Sequence, residues 1–295
     1  VTNMESMFAR ASSANPDTAG WDTASVTNMV SMFWDATDAS PNTSSWNVSN
    51  VTSMTSMFAG ASNANPDTSN WDTSSVTNMR HIFDSATIAT PDTSNWDTSN
   101  VTDMGHMFDS AVAANPDMDS WGLANVTDMT LMFEAIDIGV ESYSALLIAL
   151  AAQNTHTEVV LDGGLAQYNL SGADARAHLV HELNWVITDG GFSTTAGIPD
   201  DMVPVPAGYF MRGCNEAVDT ECGASESPYH EVYLDSFLID RTEVTAGAYE
   251  ACVDAGACSY SGNTTSETRT YDNGRDDHPV NYVNWPDATT YCEWL

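Results

Sequence analysis

Apolar residues in the first 136 positions recur at an interval of 25. The V-T-x-M element begins at Val1, Val26, Val51, Val76, Val101 and Val126, and tryptophan recurs at Trp21, Trp46, Trp71, Trp96 and Trp121. Proline keeps the same interval at Pro16, Pro41, Pro66, Pro91 and Pro116. A period of this size predicts a solenoid, in which each unit buries its apolar face only against its neighbours. In one copy, Asp-Thr-Ser-Ser from Asp72 reads as a helix start, with side-chain oxygens ready to accept from free amides. Val76, Met79, Phe83 and Ala86 follow at i, i+3, i+7 and i+10, predicting one face of a short helix, with Thr77, Asn78, Arg80 and Asp84 on the other. Pro91 ends that helix, and Pro91 to Trp96 predicts a short strand. The expected architecture is an α/β solenoid. Its strand-turn-helix units would stack with parallel strands about 4.8 Å apart. The Trp, Met and Phe columns read as core, because one large group repeated in every rung fills a continuous interior.

After Phe133 the interval is lost. Residues 137–193 read as a cap over the open end of the stack. Tyr143 to Gln153 predicts a buried helix, Ala173 to Asn184 a second, amphipathic one, and the segment from Trp185 a strand closed by a Gly-Gly turn. Residues 194–200 form a linker. In residues 201–295, Met202–Phe210 and Val232–Ile239 predict strands, and Thr245 caps a short helix.

Two resemblances attach to these residues. The pattern W-D-T-S-x-V-T-x-M-x-x-M-F over Val1 to Phe133 resembles the BspA-like, leucine-rich-repeat-related bacterial surface-protein repeats of DUF285 type. That resemblance implies secretion or surface display, often as an adhesin. Met202–Gly213, Pro228–Thr245 and Asp277–Leu295 resemble, in order, blocks of the formylglycine-generating-enzyme (sulfatase-modifying-factor) family, which implies a partial α+β C-type-lectin-like domain. In that family a cysteine pair late in the domain, with copper, oxidises a substrate cysteine. Those positions are expected beyond Leu295, so no catalytic or cofactor-binding residue is carried onto this chain. Copper is implied only if the full-length domain is active. Cys292 stands where the family has a structural cysteine, and His230 and His278 read as packing or turn residues.

Charge narrows the partners. The chain has no lysine, seven arginines and 41 acidic residues, a formal charge of −34. Nucleic acid and anionic membranes both require a basic footprint, so neither is an expected partner. No run approaches 18 apolar residues, so no membrane insertion is expected in this segment. The V-T-N-M opening falls inside a repeat, which predicts further repeats or a cap upstream. Asp67, Asp92 and Asp117 occupy one repeat position, and Asp72 and Asp97 another. Like charges one rung apart repel by roughly 1 kcal/mol even in water. Either backbone amides of turns and helix starts absorb that charge, or calcium sits between rungs on carboxylate oxygens.

His178, His181 and Glu182 form H-x-x-H-E, which reverses the H-E-x-x-H order of zinc proteases and reads as a solvated helix face. All five cysteines lie beyond residue 200. Cys214 with Cys222 and Cys252 with Cys258 are the economical local pairs, although four cysteines allow three connectivities. Disulfides imply an oxidising compartment. The functional expectation is an extracellular or cell-surface interaction protein that engages a protein or carbohydrate ligand. An enzyme of the formylglycine-generating type and a self-associating fibre subunit are the alternatives. Trp285, Tyr282 and Tyr271 are aromatic groups that could stack on sugar or pack.

Overall fold

Neighbouring copies join through the third residue of the V-T-x-M element. In the computed structural model, which describes residues 1–215, 217–218, 221–223, 228–262 and 265–295, that residue forms one parallel bridge to its counterpart in the next copy. The bridges run Asn3 to Asn28, then Ser53, Asn78, Asp103 and Asp128. Neither the helix expected over Val76–Ala86 nor the strand expected over Pro91–Trp96 forms; the first is a run of turns and the second is irregular. The hydrogen bonds supply the reason. The N–H groups of Met79, His81, Phe83 and Ser85 donate to the carbonyls of Asp103, Gly105, Met107 and Asp109 in the next copy, at 2.7–3.0 Å. Those of Ile82, Asp84 and Ala86 turn back three residues, to Met79, His81 and Phe83. The Arg80 N–H donates to the Asn78 side chain at 2.9 Å. Alternate amides therefore bond across and within the copy, and the segment is satisfied without a helix. A helix of this length is marginal alone, whereas the adjacent copy offers acceptors at every second residue.

From the second copy onward the apolar columns are buried as expected, while Val1 and Met7 of the first copy are exposed. Val76, Met79, Ile82, Phe83, Ala86 and Ala89 are fully enclosed. Phe33, Phe58, Phe83, Phe108 and Phe133 stack face to face, with centroids 5.5–6.0 Å apart and planes within 9°. The tryptophans point inward, with Trp71 and Trp96 stacked at 6.2 Å. Two threonine columns to which the sequence reading gave no role are also buried. Thr18, Thr43, Thr68 and Thr93 donate Oγ1–H to the carbonyls of Asn42, Asp67, Asp92 and Asp117 at 2.6–2.7 Å. Thr23, Thr73 and Thr98 do the same one turn later, while Val48 fills that place in the second copy. Each hydroxyl is tolerated inside because it ties one copy to the next.

The cap extends this ladder and then closes it. Helix α1 (Val140–Gln153) packs on α2 (Leu170–His181), and strand β1 (Val160–Asp162) pairs in parallel with β2 (Val186–Thr188). Leu161 bridges Met129 of the last copy. At the end of α1, buried Asn154 donates to the carbonyls of Leu123 and Val126 at 2.8 Å each, and Gln153 accepts from the Leu123 N–H. These side chains tie the cap to the last copy. Gly164 has φ +62°, and a Cβ there would strike the Phe133 carbonyl, so only glycine lets the cap approach. The Tyr143 hydroxyl donates to Asp189 at 2.9 Å, and Arg176 meets the same carboxylate at 2.7 Å. Burial, reinforced by the Asp189 charge, drives the Tyr143 pKa far above the ordinary tyrosine value.

The chain divides into two compact units, Val1–Gly197 with Pro206–Phe237, and Ile198–Val205 with Leu238–Leu295. Among the described residues, four further strands, β3 (Met202–Val205), β4 (Gly208–Arg212), β5 (His230–Leu234) and β6 (Phe237–Asp240), form two pairs, β3 with β6 and antiparallel β4 with β5. Helix α3 (Ala246–Asp254) begins as expected, with Thr245 Oγ1 accepting from the Ala248 N–H. The sequence reading did not anticipate α4 (Trp285–Trp294). Its signal was present: Asn284 accepts from the Asp287 N–H, Asp287 accepts back from the Asn284 N–H, and proline occupies the first turn. The core of the second unit gathers Tyr249, Cys252, Cys258 and Tyr291.

Candidate functional site

The acidic columns are built as turns. Asp67, Asp72 and Asp92 each accept, through Oδ1, from the backbone N–H and the hydroxyl of the serine two residues on. Asp97 accepts from the Ser99 N–H at 2.9 Å, and Asp117 from the Asp119 N–H at 3.1 Å. All five are exposed. Side chains two residues from their own backbone donors are Asx turns. The Ser94 hydroxyl and N–H hold the Asp92 carboxyl below its ordinary pKa, and Ser99 does so for Asp97.

Potential ligand atoms converge elsewhere. Among the described residues, one group of three or more His, Cys, Asp or Glu side chains brings its ligand atoms within 4.8 Å of one another: His81, Asp84 and His106. The two imidazoles belong to neighbouring copies and lie nearly parallel, centroids 4.3 Å apart. Nδ1 of His81 is 2.9 Å from Asp84, and Nδ1 of His106 is 3.0 Å from Asp109. Sequence reasoning gave His81 and His106 no role. The signal was H-x-x-D occurring twice, 25 residues apart, in adjacent copies only.

His178, His181 and Glu182 do not form such a group. They line a cleft of about 240 Å³ with Tyr209 and Tyr233. The Tyr209 hydroxyl donates to Glu182 at 3.1 Å, which raises its pKa, and its ring meets His181 edge-on. Cys214–Cys222 and Cys252–Cys258 are disulfide-bonded, and Cys292 is free and exposed. Cys292 borders an apolar pocket of about 310 Å³ with Val244, Tyr249, Val280, Val283 and Tyr291. His230 lies 2.6 Å from the Pro228 carbonyl and His278 2.8 Å from Asp277; both are exposed. Trp285 is 79% exposed and Tyr282 48%, whereas Tyr271 stacks on Tyr260 at 4.1 Å.

Residues 1–68 and 35–142 match the family described as Mycoplasma protein of unknown function, DUF285. Residues 191–295 match the sulfatase-modifying factor enzyme 1-like domain. The chain joins a DUF285 repeat domain to an FGE-sulfatase domain. A curated relative, the formylglycine-generating enzyme of Bos taurus, is 25% identical over 135 residues. The match covers 32% of this chain and 36% of that protein, so the chain spans about a third of the relative's length.

The FGE-sulfatase domain is C-type-lectin-like in fold, and among the described residues its helices and short strands enclose no barrel. Its four paired cysteines cross-link short loops, of six and eight residues' separation. The DUF285 domain presents rows of turn hydroxyls and carboxylates outward over an apolar interior, with the histidine pair as its one compact set of nitrogen and oxygen donors among the described residues.

Proposed function

We propose that this is a secreted or cell-surface interaction protein. In this reading the DUF285 copies form one continuous solenoid that serves as a spacer or binding face. The FGE-sulfatase domain, joined behind it, displays a ligand site. The observation that carries the proposal is the pairing of register-stacked, surface-type repeats with a module braced by two disulfides. Cross-links of this kind persist in oxidising surroundings. The partner class is a protein or carbohydrate on a cell or matrix surface, and exposed Trp285 and Tyr282 are the aromatic groups available to a sugar face. The charge of −34 disfavours nucleic acid, and no described helix is long and apolar enough to cross a membrane.

The test is binding of the purified chain to glycan, matrix-protein and whole-cell surfaces. Saturable binding weakened by Trp285→Ala supports the reading; no saturable binding to any surface overturns it. The FGE-sulfatase match favours a second reading, a surface-located oxidoreductase of formylglycine-generating type whose catalytic cysteines lie beyond residue 295. Copper-dependent oxidation of a peptide cysteine by the native full-length protein would select it. Self-association into fibres is the third reading. Sedimentation of the chain as a monomer with and without calcium counts against it.

A further inference from the structure

We propose that His81 and His106, with Asp84 and Asp109, bind one divalent transition-metal ion of the zinc class across two neighbouring repeats. Two imidazole nitrogens and carboxylate oxygens form the mixed donor set that suits zinc and its neighbours, whereas calcium takes oxygen ligands. Each Nδ1 already stands 2.9–3.0 Å from the carboxylate three residues on. A tetrahedral ion bound at about 2.0–2.1 Å holds its nitrogen and oxygen ligands roughly 3.3 Å apart, so each pair opens by a few tenths of an ångström to admit it. The stacking of copies brings the second imidazole to the same place, its ring 4.3 Å from the first and tilted 21°. His81, Asp84 and His106 each place a ligand atom within 4.8 Å of the other two, and closing on one ion turns the two stacked imidazoles toward each other.

The carboxylates are held from behind. Ser85 and Ser110 donate their hydroxyls to Oδ1 of Asp84 and Asp109 at 2.8 Å each, leaving Oδ2 toward the imidazoles. Fixing a ligand through a second hydrogen bond is how metal sites keep their geometry. The four side chains are 18–29% exposed, sheltered yet open to an ion from solvent.

The repeat also supplies its own control. The position of His81 and His106 is serine in the first three copies, and Ser6, Ser31 and Ser56 hold φ 54–55°, against 57° and 56° for the histidines. Serine is therefore compatible with this backbone. The experiment is calorimetric titration of chelator-stripped, dialysed chain with zinc chloride, with cobalt(II) absorption as a spectroscopic check. The expected result is one site per chain, weakened about 10–100-fold by Ser85→Ala, which removes the hydrogen bond behind Asp84, and abolished in the His81→Ser/His106→Ser double variant. Circular dichroism should show that this variant keeps the parent fold. Five other histidines lie in the chain, so binding that survives unchanged in the double variant overturns the proposal. So does the absence of stoichiometric zinc binding to the parent, or displacement of zinc by millimolar calcium.

Discussion

Replacing Phe83 with alanine tests whether the repeats hold one another up. Phe83 is fully buried, with Phe58 at 5.7 Å on one face, Phe108 at 5.8 Å on the other, and Trp96 at 6.4 Å. Truncating a buried phenylalanine costs about 3–5 kcal/mol, more where the cavity cannot collapse. Collapse is resisted here because the Phe83 N–H is bonded to the Met107 carbonyl and its neighbours are tied in the same way. Two stacked ring contacts are lost as well, each contributing about 0.5–1.5 kcal/mol beyond burial. The expected destabilisation is thus at the upper end, about 5 kcal/mol. Phe8 provides the comparison. It is half-buried and has Phe33 on one face only, with Trp21 at 6.0 Å, so Phe8→Ala should cost about 2 kcal/mol. Urea unfolding followed by tryptophan fluorescence and far-ultraviolet circular dichroism measures both. The midpoint shift for Phe83→Ala should be at least about twice that for Phe8→Ala, if each copy gains its stability from its neighbours. Equal shifts, or a larger one at Phe8, would refute the stacked arrangement as the source of stability.

Four further outcomes follow from the same geometry. Asp189→Asn leaves Arg176 facing a neutral amide in a part-buried site and should destabilise the first unit by about 2–3 kcal/mol in urea unfolding, somewhat less than a fully buried pair would lose. Tyr143 has a raised pKa, so its contribution is complete below the ordinary tyrosine value of 10.0 and declines as pH rises past it; Tyr143→Phe should flatten the alkaline limb of a melting-temperature profile. At Asp128, burial acts to raise the pKa, but hydrogen bonds from Thr130 and the Arg80 charge outweigh it and the net shift is downward. Its contribution is therefore present above the ordinary value of 3.8 and lost as pH falls through the lower folded value, and Asp128→Asn should remove part of the acid-side loss in the same profile. If Asp67, Asp92, Asp117, Asp72 and Asp97 serve as turn acceptors, calcium or a calcium chelator should leave the melting temperature unchanged, whereas a clear rise with calcium would restore an ion bridging the rungs.

The sequence alone determined the interval of 25, the apolar columns that become core, helices α1 and α3, and the change of composition beyond residue 200, while the structure chose the two local disulfides from three connectivities. These features depend on which residue types occupy which positions, and burial reads that pattern directly. Only the tertiary structure decided how the backbone of each copy is bonded. Val76, Met79, Phe83 and Ala86 satisfy a helical pattern, yet a run of turns buries them equally well, because the next copy supplies acceptors that a helix would have found four residues back. The buried threonines became legible for the same reason, since their partners lie 24 residues away. His81 and His106 became a pair only because stacking converts a separation of 25 residues into 4.3 Å between rings. Local periodicity describes the neighbours of a residue along the chain; in this protein the decisive neighbours stand one copy away.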